Sequence, residues 1–139
     1  MKRNLFYVLT AFLVLSCGKK VPEETIIDFK PNKNVISFKI AANLNGNYSE
    51  HLPDSLYSRG FDPKMDTIKY EKNEIYVSYV AGLTGCVKYA GDVAVKNDSL
   101  LLKLVTINNM ACTELDIARV VFKIKNPKNE KFKIGKYIN

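Results

Sequence analysis

"CVKYAGDVAVKNDSLLLKLVTI", residues 86–107, decides the fold. Two strand-like runs flank Asn97-Asp98, a two-residue turn signal, and the whole reads as an antiparallel hairpin. Outward from it, the same grammar recurs. "DTIKYE" and "EIYVSYVA" flank Lys72-Asn73, and "IARVVFKIK" and "KFKIGKYI" flank "NPKNE", which makes two more hairpins expected. "VISFKIA", residues 35–41, alternates Ile36, Phe38 and Ile40 against Val35, Ser37 and Lys39, the pattern of a half-buried strand. Residues 47–65 carry two prolines and Gly60 and read as a loop with a helical turn near residues 55–58. "AGLTG" at 81–85 reads as a strand break and "NNMACTELD" as a loop. Seven to nine short strands with close turns and no long helix predict an all-β domain, a single antiparallel sandwich or barrel.

The N-terminus has a different logic. Lys2 and Arg3 precede an apolar run from Leu5 to Leu15 that is interrupted only by Tyr7 and Thr10. That is the layout of a secretory signal, and it is too short for a membrane span of about 20 residues. Val14-Leu15-Ser16-Cys17 resembles the lipobox of bacterial lipoproteins: an aliphatic residue three before the cysteine, a small one directly before it, and the cysteine itself. Leu15 is bulkier than usual for its position. The resemblance implies that residues 1–16 are a signal-peptide helix that is removed. Cys17 would then carry a thioether-linked diacylglycerol and an amide-linked acyl chain such as palmitate. Two or more acyl chains, at about 0.8 kcal/mol per buried CH₂, anchor firmly where one holds only marginally. Gly18 stands where an Asp would retain a lipoprotein in the inner membrane, so the outer membrane is favoured. Residues 17–34 follow as lipidated cysteine and polar tether, although "TIIDFK" within them is strand-like, and residues 35–139 form the β domain.

Removing 16 of 139 residues leaves 123, one domain of ordinary size with a real core. Loss of Lys2 and Arg3 leaves 19 basic against 14 acidic residues, a net charge of about +5. The reachable polyanions for an exported protein are anionic headgroups or acidic glycans, not nucleic acid. Cys86 and Cys112 remain as an even pair in a compartment that permits disulfides. The Asn97-Asp98 turn pairs residues whose numbers sum to 195, which sets Cys86 opposite position 109, three short of Cys112. A bulge or the "NNMA" loop absorbs that offset, and a bridge there is worth about 3–4 kcal/mol. The alternative is two buried free thiols. With no CxxC, no Cys/His cluster and a lone His51, a zinc site is poorly served.

Gly85, Cys86, Tyr89 and Gly91, followed by Met110-Ala111-Cys112, resemble the META domain of small exported bacterial proteins, the HslJ-like family. Val87 departs from the Asn usual after Gly-Cys. The resemblance implies a small β-rich domain without an enzymatic mechanism. Among the C-terminal lysines, Lys123, Lys125, Lys131 and Lys133 alternate with Phe122, Ile124, Phe132 and Ile134. They offer either a cationic face for a polyanion or an ordinary solvated edge that resists aggregation. His51, Asp54 and Ser55 lie close in sequence, but no GxSxG elbow accompanies them, and no phosphate loop, paired-carboxylate motif or calcium loop is present. Tyr70, Tyr76, Tyr79 and Tyr89 read as core before they read as sugar-stacking rings. No cofactor is implied. The expected function is a lipid-anchored, non-catalytic binding or structural module of the cell envelope, with an envelope protein or anionic glycan as partner. The alternatives are an inhibitor- or immunity-like protein that neutralises a toxin or enzyme, and a hydrolase built on the 47–65 loop.

Overall fold

The computed structural model describes residues 23–45 and 53–139. The expected signal-peptide helix, Cys17 and His51 lie outside the described residues. Among the described residues are seven strands: β1 (Val35–Asn43), β2 (Phe61–Glu71), β3 (Glu74–Thr84), β4 (Tyr89–Lys96), β5 (Ser99–Thr106), β6 (Leu115–Lys125) and β7 (Lys133–Ile138). A single helical turn, α1 (Asp54–Tyr57), precedes β2. Two sheets result, β1-β6-β3-β2 and β4-β5-β7, and the domain is an all-β sandwich.

Alternation along the strands builds the core between the sheets. Ile75, Val77, Tyr79, Ala81 and Leu83 of β3 share it with Val120, Phe122 and Ile124 of β6. Val93, Leu100, Leu102 and Leu104 face them from the second sheet. Phe38 reaches across from β1 to the Phe122 ring, with centroids 5.0 Å apart. It lies so close over β4 that a Cβ on Gly91 would stand 2.2 Å from it. Only glycine lets the two strands approach this closely. A second, smaller cluster sits on the back of the four-stranded sheet, where Leu56 of α1 packs on Val80 and Ile117.

The central hairpin follows the predicted register: Tyr89 pairs with Thr106 and Lys96 with Ser99. The β2–β3 hairpin closes at Lys72-Asn73 as expected, with Asn73 at φ 64°. Asparagine tolerates this left-handed conformation because its short polar side chain bonds locally. Other expectations change. β1 bulges between Val35 and Ser37, so Ile36 falls out of alternation and is exposed, while Val35 packs with Phe38 against the core. β2 begins at Phe61, earlier than its periodicity suggested, because a register shift between Asp62 and Thr67 absorbs Pro63 on an edge strand. β3 runs through 81–84 without a break.

The third expected hairpin does not form. β6 lies in the four-stranded sheet, and β7 crosses over to pair in parallel with β5. Parallel neighbours need a long crossover, and here β6, traversing the opposite sheet, supplies it. The 126–130 loop is a self-capped turn. Asn126 donates from Nδ2 to the Glu130 carbonyl and accepts the Glu130 N–H, and Asn129 sits at φ 52°. Tyr70 then ties the crossed strand to β2, its hydroxyl donating to the Phe132 carbonyl at 3.0 Å and accepting the Phe132 N–H.

The described part of the expected tether, residues 23–34, is laid along the second sheet. Ile26 forms an isolated antiparallel bridge with Asn108, Ile27 N–H donates to the Ile107 carbonyl, and Asn32 N–H donates to Asp92. This part of the chain belongs to the domain because the β4–β5 end offers unpaired backbone groups that it satisfies.

Candidate functional site

The sandwich has two ends of different chemistry. At one, β3, β5 and β7 finish, β4 and β6 begin, and the N-terminal segment docks. Cys86 and Cys112 stand there at disulfide distance, with Cα atoms 6.2 Å apart. The pairing foreseen from the hairpin register is achieved because Asn108 replaces a ladder residue. Its side chain, 3% exposed, accepts the Lys88 N–H and donates to the Cys86 carbonyl and to Glu24. Lys88 also pairs with Glu24 at 2.9 Å. The Lys88 and Asn108 hydrogen bonds hold the Glu24 carboxyl below its usual range. Of the META-like positions, Tyr89 accepts the Thr84 N–H on its hydroxyl, and Gly91 admits Phe38. A shallow cleft of about 130 Å³ lies beside them, lined by Ile40, Tyr89 and Asp116 among others.

The far end holds the turns. Four Lys-Asn dipeptides, Lys33-Asn34, Lys72-Asn73, Lys96-Asn97 and Lys128-Asn129, all fall there. Asn73, Asn97 and Asn129 have positive φ, which explains their asparagine. The turns are knitted to one another: Lys125 N–H donates to the Asn34 carbonyl, Asn126 N–H to the Asn73 carbonyl, and Asn73 N–H to Asn129 Oδ1. Beside them lies a cleft of about 190 Å³, lined by Asn34 of the first turn and Lys128 of the fourth. Its floor is Ile75, Leu100, Ile124, Phe132 and the buried Asn126, and its rim is Asn34, Val95, Lys125, Lys128 and Glu130.

The four lysines expected on one face come to lie on two sheets, because the hairpin that would have aligned them is replaced by the crossover, yet Lys125, Lys131 and Lys133 all remain at the far end. Lys123 lies on the outer face of the four-stranded sheet, 3.7 Å from Glu74. Lys125 is at the rim of the far cleft. Lys131 caps the Tyr70 ring, 3.6 Å from its centroid, and Lys133 pairs with Asp98 at 2.7 Å. Lys133 and Ser99 hold the Asp98 carboxyl below its usual range. Asp54 and Ser55 start α1, and Leu56, which follows them, serves the back cluster. Tyr79 is core, as its strand position implied; burial, with Asp66 secondary, raises its pKa. No group of three or more His, Cys, Asp or Glu poised to hold a metal occurs among the described residues.

Two features escaped the sequence reading. Asn108 looked like part of a loop, and nothing local marks it as a buried bracket. The fourfold Lys-Asn repetition was visible, but only the sheet topology shows that all four turns share an end. Searches against family models, curated proteins and solved structures found no match.

Proposed function

We propose that this chain is a bacterial lipoprotein whose β sandwich is a non-catalytic binding module, exported and held at a membrane by lipid on Cys17. The observation that carries this reading is Val14-Leu15-Ser16-Cys17 behind Lys2, Arg3 and an apolar run. The Cys86–Cys112 pair supports it, since such bridges persist in oxidising compartments. The META-like spacing around these cysteines is in keeping with a small exported domain. Gly18 favours the outer membrane over the inner. The module's partner in this reading is an envelope component, either a protein or an anionic glycan.

The test is direct. Mass spectrometry of the membrane fraction should find a mature chain that starts at Cys17 and carries two or three acyl chains. Cys17→Ser should shift the protein out of that fraction. A mature chain that begins elsewhere, with no lipid, refutes the proposal.

A further inference from the structure

We propose that the far end of the sandwich, the four Lys-Asn turns together with the 190 Å³ cleft beside them, is the recognition surface, and that it takes an acidic glycan. This deepens the binding-module reading and rests on it for the direction in which the surface faces.

Charge is the first argument. Lys33, Lys72, Lys96, Lys125, Lys128, Lys131 and Lys133 are all exposed at this end. Its acids are Glu71, Glu74, Asp98 and Glu130, and three of them are paired with lysines. Lys33, Lys72, Lys96 and Lys125 make no ion pair among the described residues, and Lys125 lines the cleft. The docking end has the opposite balance, with Glu23, Glu24, Glu114 and Asp116 around Lys88. Among the described residues the two ends therefore carry opposite charge, and an anionic ligand is drawn to the far one.

Composition of the rim is the second argument. Asn34 supplies an amide for sugar hydroxyls, Lys125 and Lys128 supply charge for carboxylates, and half-buried Phe132 with exposed Val95 gives the apolar wall that a ring face needs. The inter-turn hydrogen bonds hold these groups in place before any ligand arrives.

Chain length is the third. Residue 23 enters at the disulfide end, and six residue steps from Cys17 reach at most about 20 Å. Strands of 8–11 residues set the Lys-Asn end about 30 Å beyond that. With the docking end toward the membrane, the Lys-Asn end lies at least about three Debye lengths above the anchoring headgroups and faces what lies beyond them.

The experiment uses the lipidated full-length protein in neutral detergent. It is applied to immobilised polygalacturonate, a polymer of carboxylated sugars, and to uncharged dextran. Retention on the polyuronate, release by salt and none on dextran are expected. Replacing Lys33, Lys72, Lys96 and Lys128 by Glu should weaken retention about tenfold or more. Replacing Lys39, Lys64, Lys69 and Lys103 by Glu changes the net charge equally and should leave retention within about twofold. A Lys→Gln set at the four turns, with melting curves for every variant, separates lost binding from lost folding. Equal losses in the two Glu sets, or no retention of the parent protein, overturn the proposal. So does equal capture by phosphatidylglycerol vesicles, which would make the ligand a lipid surface. The N-terminal mass is read on the same sample. An unlipidated chain that still binds removes the anchor and leaves the surface, and a lipidated chain that does not bind removes the surface alone.

Discussion

Tyr79 shows what one atom can cost. Its side chain is fully buried between the sheets, edge-on to Phe61 and stacked near Phe122. Its hydroxyl has no hydrogen-bond partner among the described residues, while the Lys136 ammonium, paired with Asp66, sits 5.4 Å from its ring centroid. An unsatisfied buried hydroxyl pays for desolvation without return. Tyr79→Phe should therefore leave stability at pH 7 unchanged or raise it by about 1 kcal/mol, as urea denaturation would measure. The pH dependence follows from the raised pKa. The folded state favours neutral Tyr79, so its contribution is intact below the ordinary value of 10.0 and is lost as pH rises above it. The Phe variant should lack that share of the alkaline loss, and a variant that unfolds earlier in base contradicts the assignment. The sequence marked Tyr79 as core by its strand position. Its lack of a partner depends on where Asp66, Lys136 and Phe61 come to rest, which only the assembled sandwich determines.

At the scale of elements, the disulfide and the N-terminal segment act together. The bridge closes a loop across 26 residues, worth about 3.5 kcal/mol by chain entropy. Residues 107–109, which lead into that loop, receive the segment: Thr25 exchanges bonds with Asn109, Ile27 donates to Ile107, and Asn108 holds Glu24. Breaking the bridge should therefore do two things. A Cys86→Ser, Cys112→Ser variant should melt about 10 °C lower with its β content intact. It should also lose amide-exchange protection at Ile27 and Asn109 before the β3–β6 core does, since the least supported contacts open first. Unchanged protection at those two amides would show that the loop keeps its shape without the bond. The hairpin register put Cys86 near Cys112 from sequence alone, since a two-residue turn leaves little freedom. The docking of residues 23–28 could not be read there, because a single bridge between Ile26 and Asn108 has no periodic signature.

For the molecule as a whole, topology governs folding. β1 must find β6, with Val35 opposite Ile124, and β7 can pair with β5 only after β6 has crossed the other sheet. Such non-local pairing places refolding in the millisecond-to-second range. Stopped-flow tyrosine fluorescence is the natural probe, as the chain has eight tyrosines and no tryptophan. Microsecond refolding would contradict this topology. The sequence by itself determined the all-β class, the two hairpins at Lys72-Asn73 and Asn97-Asp98, and the neighbourhood of the two cysteines. Alternation and turn chemistry are local, and local pattern is enough to specify a strand and a tight turn. The tertiary structure alone decided that β7 leaves β6 for β5, that the C-terminal lysines are divided between two sheets, and that four Lys-Asn turns gather at one end. An apolar stripe such as Phe132 and Ile134 is satisfied equally by either sheet, so its partner is set by which packing closes the core, a property no stretch of the chain carries alone.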